Sequence, residues 1–78
     1  MRKFKVIRLI GPDTFIGLKI GDIVEETKYR SDDHILCRLP KSLRGKGHNG
    51  NIFNNTKYTT DNYWYFLSMD LEEIKNGN

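Results

Sequence analysis

The chain contains 78 residues with a formal net charge of +3, and 37% of its residues are hydrophobic and 12% aromatic. This length allows one small domain, and it excludes a cofactor-binding fold joined to a substrate domain as well as a (β/α)₈ barrel. The hydrophobic and aromatic content is sufficient for a folded core and is unlike that of a disordered chain.

The N-terminal third of the sequence predicts two strands joined by a turn-rich connection. Polar and apolar residues alternate over residues 3–6, and the alternation changes face over residues 7–9, so we expect one strand with a bulge near its middle. Residues 11–13 (GPD) predict a turn, and a glycine-punctuated connection follows over residues 15–22. Residues 23–29 are rich in β-branched and aromatic side chains and predict the second strand.

The second half predicts further strands around one long loop. Residues 34–39 form a third predicted strand, which Pro40 ends, and residues 40–62 form the longest loop, with several glycines. Residues 63–67 (YWYFL) are the clearest strand signal in the chain. Residues 68–70 allow a short 3₁₀ turn, and residues 71–74 form a last short strand or a helical turn.

The predicted elements indicate an all-β fold. No segment carries a long helical pattern of apolar residues, and about five short strands with Gly and Pro turns are typical of a small barrel or sandwich. Closure into a barrel also removes exposed sheet edges. The side chains that we expect in the core are Phe4, Val6, Ile23, Ile35, Trp64, Phe66 and Leu71.

Two segments resemble SH3-like barrels. Residues 20–25 (IGDIVE) resemble the strand opening G-D-x-V of those barrels, and residues 64–74 resemble their closing pair, in which an aromatic strand runs through a 3₁₀ turn into a short last strand. The loop Gly45-Lys46-Gly47-His48-Asn49-Gly50 ahead of Trp64 is similar to one in small bacteriophage proteins. The resemblance implies one SH3-like β-barrel over residues 1–78, with an accessory role in a phage or its host, a place in the bacterial cytoplasm and no catalytic residue.

The basic residues are concentrated in the middle of the chain. Residues 34–60 contain five Lys and Arg residues and no acid, whereas residues 61–78 carry a net charge of −3. The basic segment either keeps a flexible loop soluble or forms a contact surface for an anionic partner, which is a phosphate backbone or an acidic protein patch.

The candidates for catalysis and for cofactor binding are weak. The glycine spacing of the loop is no dinucleotide motif, because no helix pattern follows it, and no G-K-[ST] sequence is present. Cys37, His34 and His48 lack zinc-like spacing, and we predict Cys37 to be a buried packing residue in a reducing compartment. Most acids are adjacent in sequence and point to opposite faces of a strand. We therefore predict no enzyme activity, no metal and no cofactor.

The aromatic strand carries two different faces. A period of two places Tyr63 and Tyr65 on one face and Trp64 and Phe66 on the other, toward the core. The outward tyrosines either recognise a protein or stack on bases, or they cover their cross-strand neighbours. His48 either holds its loop or contacts a partner.

The favoured function is a non-enzymatic phage or prophage protein that binds a host protein, in host takeover or in the inhibition of a defence system, with anti-CRISPR-like activity as one alternative. Its expected partner-binding residues are Arg38, Lys41, Arg44, Lys46, His48, Asn49, Tyr63 and Tyr65. A second hypothesis is a nucleic-acid-binding barrel that uses Arg38, Lys41, Arg44, Lys46 and Lys57. A third is a small structural subunit of an oligomer. No apolar stretch is long enough to span a membrane, so no membrane contact is expected.

Overall fold

A computed structural model describes residues 2–46 and 61–75. The elements in chain order are β1 (Lys3–Val6), α1 (Gly11–Phe15), β2 (Ile23–Arg30), β3 (His34–Arg38), a first 3₁₀ turn (Lys41–Leu43), β4 (Tyr63–Leu67), a second 3₁₀ turn (Ser68–Asp70) and β5 (Leu71–Ile74). The five strands form one antiparallel sheet in the order β4-β3-β2-β1-β5.

This strand order confirms the predicted all-β fold with a short 3₁₀ turn near its C-terminus. The second 3₁₀ turn lies between β4 and β5, as the resemblance to SH3-like barrels implies. β5 pairs with β1 rather than with β4, from Val6 opposite Leu71 to Lys3 opposite Ile74. The eight-residue β2 pairs with β1 over residues 23–25 and with β3 over residues 25–30, so it joins the two parts of the sheet and Glu25 has a partner on each side.

One apolar cluster fills the inner face of the sheet. Of the predicted core residues, Trp64 is partly buried and packs against this cluster, and the prediction for Ile23 is wrong because that side chain is 42% exposed. β2 begins at Ile23 as predicted, but Val24 points inward and Ile23 outward. The buried cluster contains Phe4, Val6, Ile16, Leu18, Val24, Ile35, Cys37, Leu39, Phe66 and Leu71.

Two local predictions in the first third of the chain are wrong. β1 ends at Val6, and the bulge expected there is absent, because the backbone of Val6 bonds to Gly21 and Asp22 instead of continuing a strand. Residues 11–15 form the short helix α1 rather than a simple turn. The helix begins after Ile10, whose backbone N–H donates to Asp13 Oδ2 at 3.2 Å.

Asp13 joins this helix to the aromatic strand. Its side chain is buried, and its Oδ1 accepts a hydrogen bond of 2.7 Å from Trp64 Nε1. One carboxylate therefore caps the start of α1 and satisfies the indole N–H of a residue on β4. This contact explains why Trp64 stays at the border of the core, since its ring must keep one edge on a polar partner.

The sheet contains a bulge in β2 rather than in β1. The register between β2 and β3 shifts between Glu26 and Arg30, which leaves extra residues on β2. Thr27 stabilises this shift, since its buried hydroxyl donates to the Leu36 carbonyl at 2.8 Å and accepts from the Tyr29 N–H at 3.1 Å. The Thr27 hydroxyl thus replaces backbone hydrogen bonds between β2 and β3 that the bulge interrupts.

Replacing Thr27 with valine is expected to lower the free energy of unfolding by about 2 kcal/mol, because the shape is kept while the Leu36 carbonyl and the Tyr29 N–H lose their partner. Urea unfolding measures the change. The control is Thr14→Val, which removes an exposed hydroxyl and is expected to change stability by about 0.5 kcal/mol. Equal effects of the two substitutions would contradict this role of Thr27.

Candidate functional site

A groove of about 350 Å³ opens on the outer face of the sheet, where β1 and β2 begin and β3 ends. The register places Lys3 beside Glu25 and Glu25 beside Arg38, so three charged side chains form a row across three strands. The lining residues are Lys3, Ile23, Val24, Glu25, Arg38, Leu39, Pro40, Lys41 and Arg44.

The first 3₁₀ turn forms one wall of this groove. It follows Pro40 and turns the chain back, so that Arg44 Nε donates to the Leu39 carbonyl at 2.8 Å. Gly45 comes next with a φ of +72°, a value that glycine adopts without strain, and its N–H donates to the Asp61 carbonyl. The hydrogen bond to Leu39 therefore fixes the position of the Arg44 guanidinium at the groove.

The groove is strongly cationic. Four of its side chains are basic and one, Glu25, is acidic. Among the residues that the structure describes, Lys3, Arg38 and Lys41 form no ion pair with an acid. Other basic side chains nearby differ in this respect: the ion-paired ones are Arg2, Lys5, Arg8 and Arg30.

The apolar lining distinguishes this groove from a flat basic patch. Ile23 is largely exposed there, and Pro40 is partly exposed beside it, while Leu39 below them is fully buried. No aromatic ring lines the groove among the described residues. The described residues of the groove thus offer positive charge around an aliphatic floor and no aromatic ring on which a base could stack.

The structure brings together only part of the predicted site. Arg38, Lys41 and Arg44 line one groove, and Tyr63 is the cross-strand partner of Arg38 on β4. Lys46 is exposed and does not line the groove. His48, Asn49 and Lys57 lie outside the described residues.

Tyr65 is separated from the groove along the sheet. It lies opposite Leu36 on β3, and its ring packs edge-on against His34 with 5.2 Å between ring centroids. Tyr63 and Tyr65 are both partly buried. The expected half-exposed tyrosines are therefore present, but only Tyr63 is next to a groove residue.

Lys3, like Glu25, is a groove residue that the sequence did not indicate. Its place depends on the register between β1 and β2, which sets it opposite Glu25. The alternation of residues 3–6 does show that Lys3 faces away from the core, but nothing in the sequence indicates which residue lies beside it.

Gly17 lies next to the first 3₁₀ turn, which forms one wall of the groove. Its φ is +91°, and a Cβ added there would lie 3.2 Å from a methyl carbon of Leu43 in the first 3₁₀ turn. Gly21 has a similar φ of +95°, but a Cβ added at Gly21 would meet no atom. Gly17 and Gly21 therefore share a backbone conformation and differ in the space available to a side chain, so their substitutions can be compared directly.

Gly17→Ala is expected to lower the free energy of unfolding by about 2 kcal/mol, and Gly21→Ala by about 1 kcal/mol, because both carry the backbone strain and only the first displaces Leu43. Thermal unfolding measures both values. A larger loss in Gly21→Ala than in Gly17→Ala would contradict this explanation.

Cys37 faces the core and not the groove. Its side chain is fully buried, and burial together with the nearby Glu26 carboxylate raises the pKa of its thiol to about 12. The thiolate is the reactive form, so the thiol is expected to resist alkylation by iodoacetamide at pH 8 in the folded protein and to react in urea. Rapid labelling of the folded protein would contradict the packing role of Cys37.

A second surface, at one end of the fold, exposes several apolar side chains. Backbone hydrogen bonds from Gly21 to Val6 and from Ile7 to Asp70 bring three segments together there. The exposed apolar side chains of these segments are Ile7, Ile20 and Met69, and the exposed guanidinium of Arg8 contacts Met69 Sδ at 3.7 Å. This surface is the alternative to the groove as a site of contact with a partner.

Membrane spans and metal clusters are both absent from residues 2–46 and 61–75. No helix in that part of the chain is long and apolar enough to cross a membrane. No group of three or more His, Cys, Asp or Glu side chains within it is arranged to hold a metal ion.

The fold and the groove together define a small all-β protein with a cationic groove on the outer face of its sheet. No protein-family model, no curated protein and no solved structure matches the chain. The function is therefore argued from the residues of the groove.

Proposed function

We propose that this protein is a non-enzymatic binding module that recognises an acidic segment of a partner protein in the groove. The observation that carries the proposal is the convergence of Lys3, Arg38, Lys41 and Arg44 on one concave surface that contains a single acid. Cations that form no intramolecular ion pair are available to a ligand, and complementary charge favours both encounter and register.

The aliphatic floor favours a protein segment over a nucleic acid. An acidic segment that carries one apolar side chain fits Ile23 and Pro40, whereas single-stranded nucleic acid binds on cationic grooves that also contain aromatic rings. The resemblance to small phage proteins supports a host protein as the partner, in host takeover or in the inhibition of a defence system.

A comparison of two anionic probes tests the proposal. The probes are a Glu-rich peptide with one leucine and a single-stranded oligothymidine of equal charge, each titrated against the protein at 50 and 200 mM salt. We expect the peptide to bind more tightly than the oligonucleotide, and to bind more weakly once Lys41 is replaced by glutamate. Tighter binding of the oligonucleotide, with a slope of log affinity against log salt of about −0.7 per phosphate contact, would establish the nucleic-acid hypothesis instead.

A further inference from the structure

Glu25 is the one acidic side chain in the groove, and its position gives it a specific role in recognition. It lies on β2 between Lys3 on β1 and Arg38 on β3, directly opposite each of them in the register. Its carboxylate nevertheless forms no ion pair and no hydrogen bond with another described residue. The side chain is partly buried, so a docked ligand would remove much of its remaining water.

Desolvation of a carboxylate without a partner is costly. A ligand that is acidic throughout would place a second carboxylate against Glu25. A ligand with a hydrogen-bond donor opposite Glu25 would instead form a hydrogen bond with its carboxylate. On this basis we propose that Glu25 determines specificity, and that the recognised segment carries an acid, a base and an acid in that order. This inference rests on the proposed function of the groove.

The spacing of the three charged residues identifies the form of the segment. Neighbouring strands lie about 4.8 Å apart, so the backbones at Lys3 and Arg38 are separated by about 9.6 Å, with Glu25 midway. In a helix, positions i, i+3 and i+7 share one face. Positions i+3 and i+7 lie about 4.5 Å and about 10.5 Å from position i along the helix axis. In an extended chain, successive residues on one face are about 6.7 Å apart. The distance from the first to the third of them therefore exceeds the separation of Lys3 and Arg38. A helical segment therefore matches the row better than an extended one.

Two synthetic helical peptides of identical composition test the assignment. One presents Glu, Lys and Glu at positions i, i+3 and i+7, with a further Glu on the opposite face; the other exchanges the central Lys with that distant Glu. Net charge and composition are the same, so only the residue facing Glu25 differs. We expect the wild-type protein to bind the peptide with the central Lys about tenfold more tightly.

The variant Glu25→Gln keeps the shape of the side chain and removes its charge. In this variant the tenfold preference is expected to disappear. Equal affinity of the two peptides for the wild-type protein, or an unchanged preference in Glu25→Gln, would overturn the role of Glu25 while leaving the proposed function intact. If neither peptide binds at low salt, the proposed function fails and this inference fails with it.

Discussion

Replacing Asp13 with alanine is expected to lower the free energy of unfolding by about 3 kcal/mol. The carboxylate is buried and accepts two hydrogen bonds, from Trp64 Nε1 at 2.7 Å and from the Ile10 backbone N–H at 3.2 Å. Hydrogen bonds to a charged acceptor are stronger than neutral ones, and the indole N–H would be left without a partner beside the core. For a domain of this size, the loss corresponds to a fall in Tm on the order of 15 °C.

Asp22→Ala is the matched control for this substitution. Asp22 also accepts a backbone N–H three residues before it, from Lys19 at 2.9 Å, but in an exposed turn. Its loss is expected to cost about 1 kcal/mol. A double-mutant cycle between Asp13→Ala and Trp64→Phe should give a coupling energy of about 1 kcal/mol or more. Equal effects of Asp13→Ala and Asp22→Ala, with no coupling to Trp64, would contradict the link between α1 and β4.

The double variant Arg38→Gln, Lys41→Glu is expected to weaken binding of an acidic helical peptide by about 100-fold. It removes two of the cations of the groove and adds an acid at its wall, so that attraction becomes repulsion. Glutamine is chosen at Arg38 because a glutamate there would lie directly opposite Glu25 and destabilise the sheet. Fluorescence anisotropy of a labelled peptide measures the affinities.

The control for this prediction is the double variant Lys28→Gln, Lys19→Glu. It makes the same change in net charge at exposed positions that do not line the groove. We expect less than about a threefold loss in affinity, since the effect of distant charges is screened at physiological salt. An equal loss in both variants would show that net charge, and not the groove, attracts the peptide.

Local patterns were sufficient to predict most of the strands. Residues 63–67 are apolar and lie between turn residues, and the structure confirms them as β4. The 3₁₀ turn after them was likewise predicted, and of the two alternatives for residues 71–74, a short strand or a helical turn, the structure has the strand. Ile23 shows the limit of such patterns, since the start of β2 was predicted correctly while the face on which Ile23 lies was not.

Contacts between distant segments were not predictable. Asp13 is 51 residues from Trp64, and α1 is too short for a helical pattern to reveal it. The groove was predictable only in part: the basic segment suggested Arg38, Lys41 and Arg44, whereas the places of Lys3 and Glu25 depend on strand register. Register is set by packing and by the bulge at Thr27, which leave little trace in a single sequence.

An NMR titration of the ¹⁵N-labelled protein with the acidic helical peptide shows which residues of the protein contact the peptide. We predict that the amide signals that move will be those of the groove, at Lys3, Glu25, Arg38, Leu39 and residues 41–44, and that they will move together with one dissociation constant. Changes confined to the apolar end around Ile7, Ile20 and Met69, with the groove signals unmoved, would contradict the assignment of the groove as the binding site.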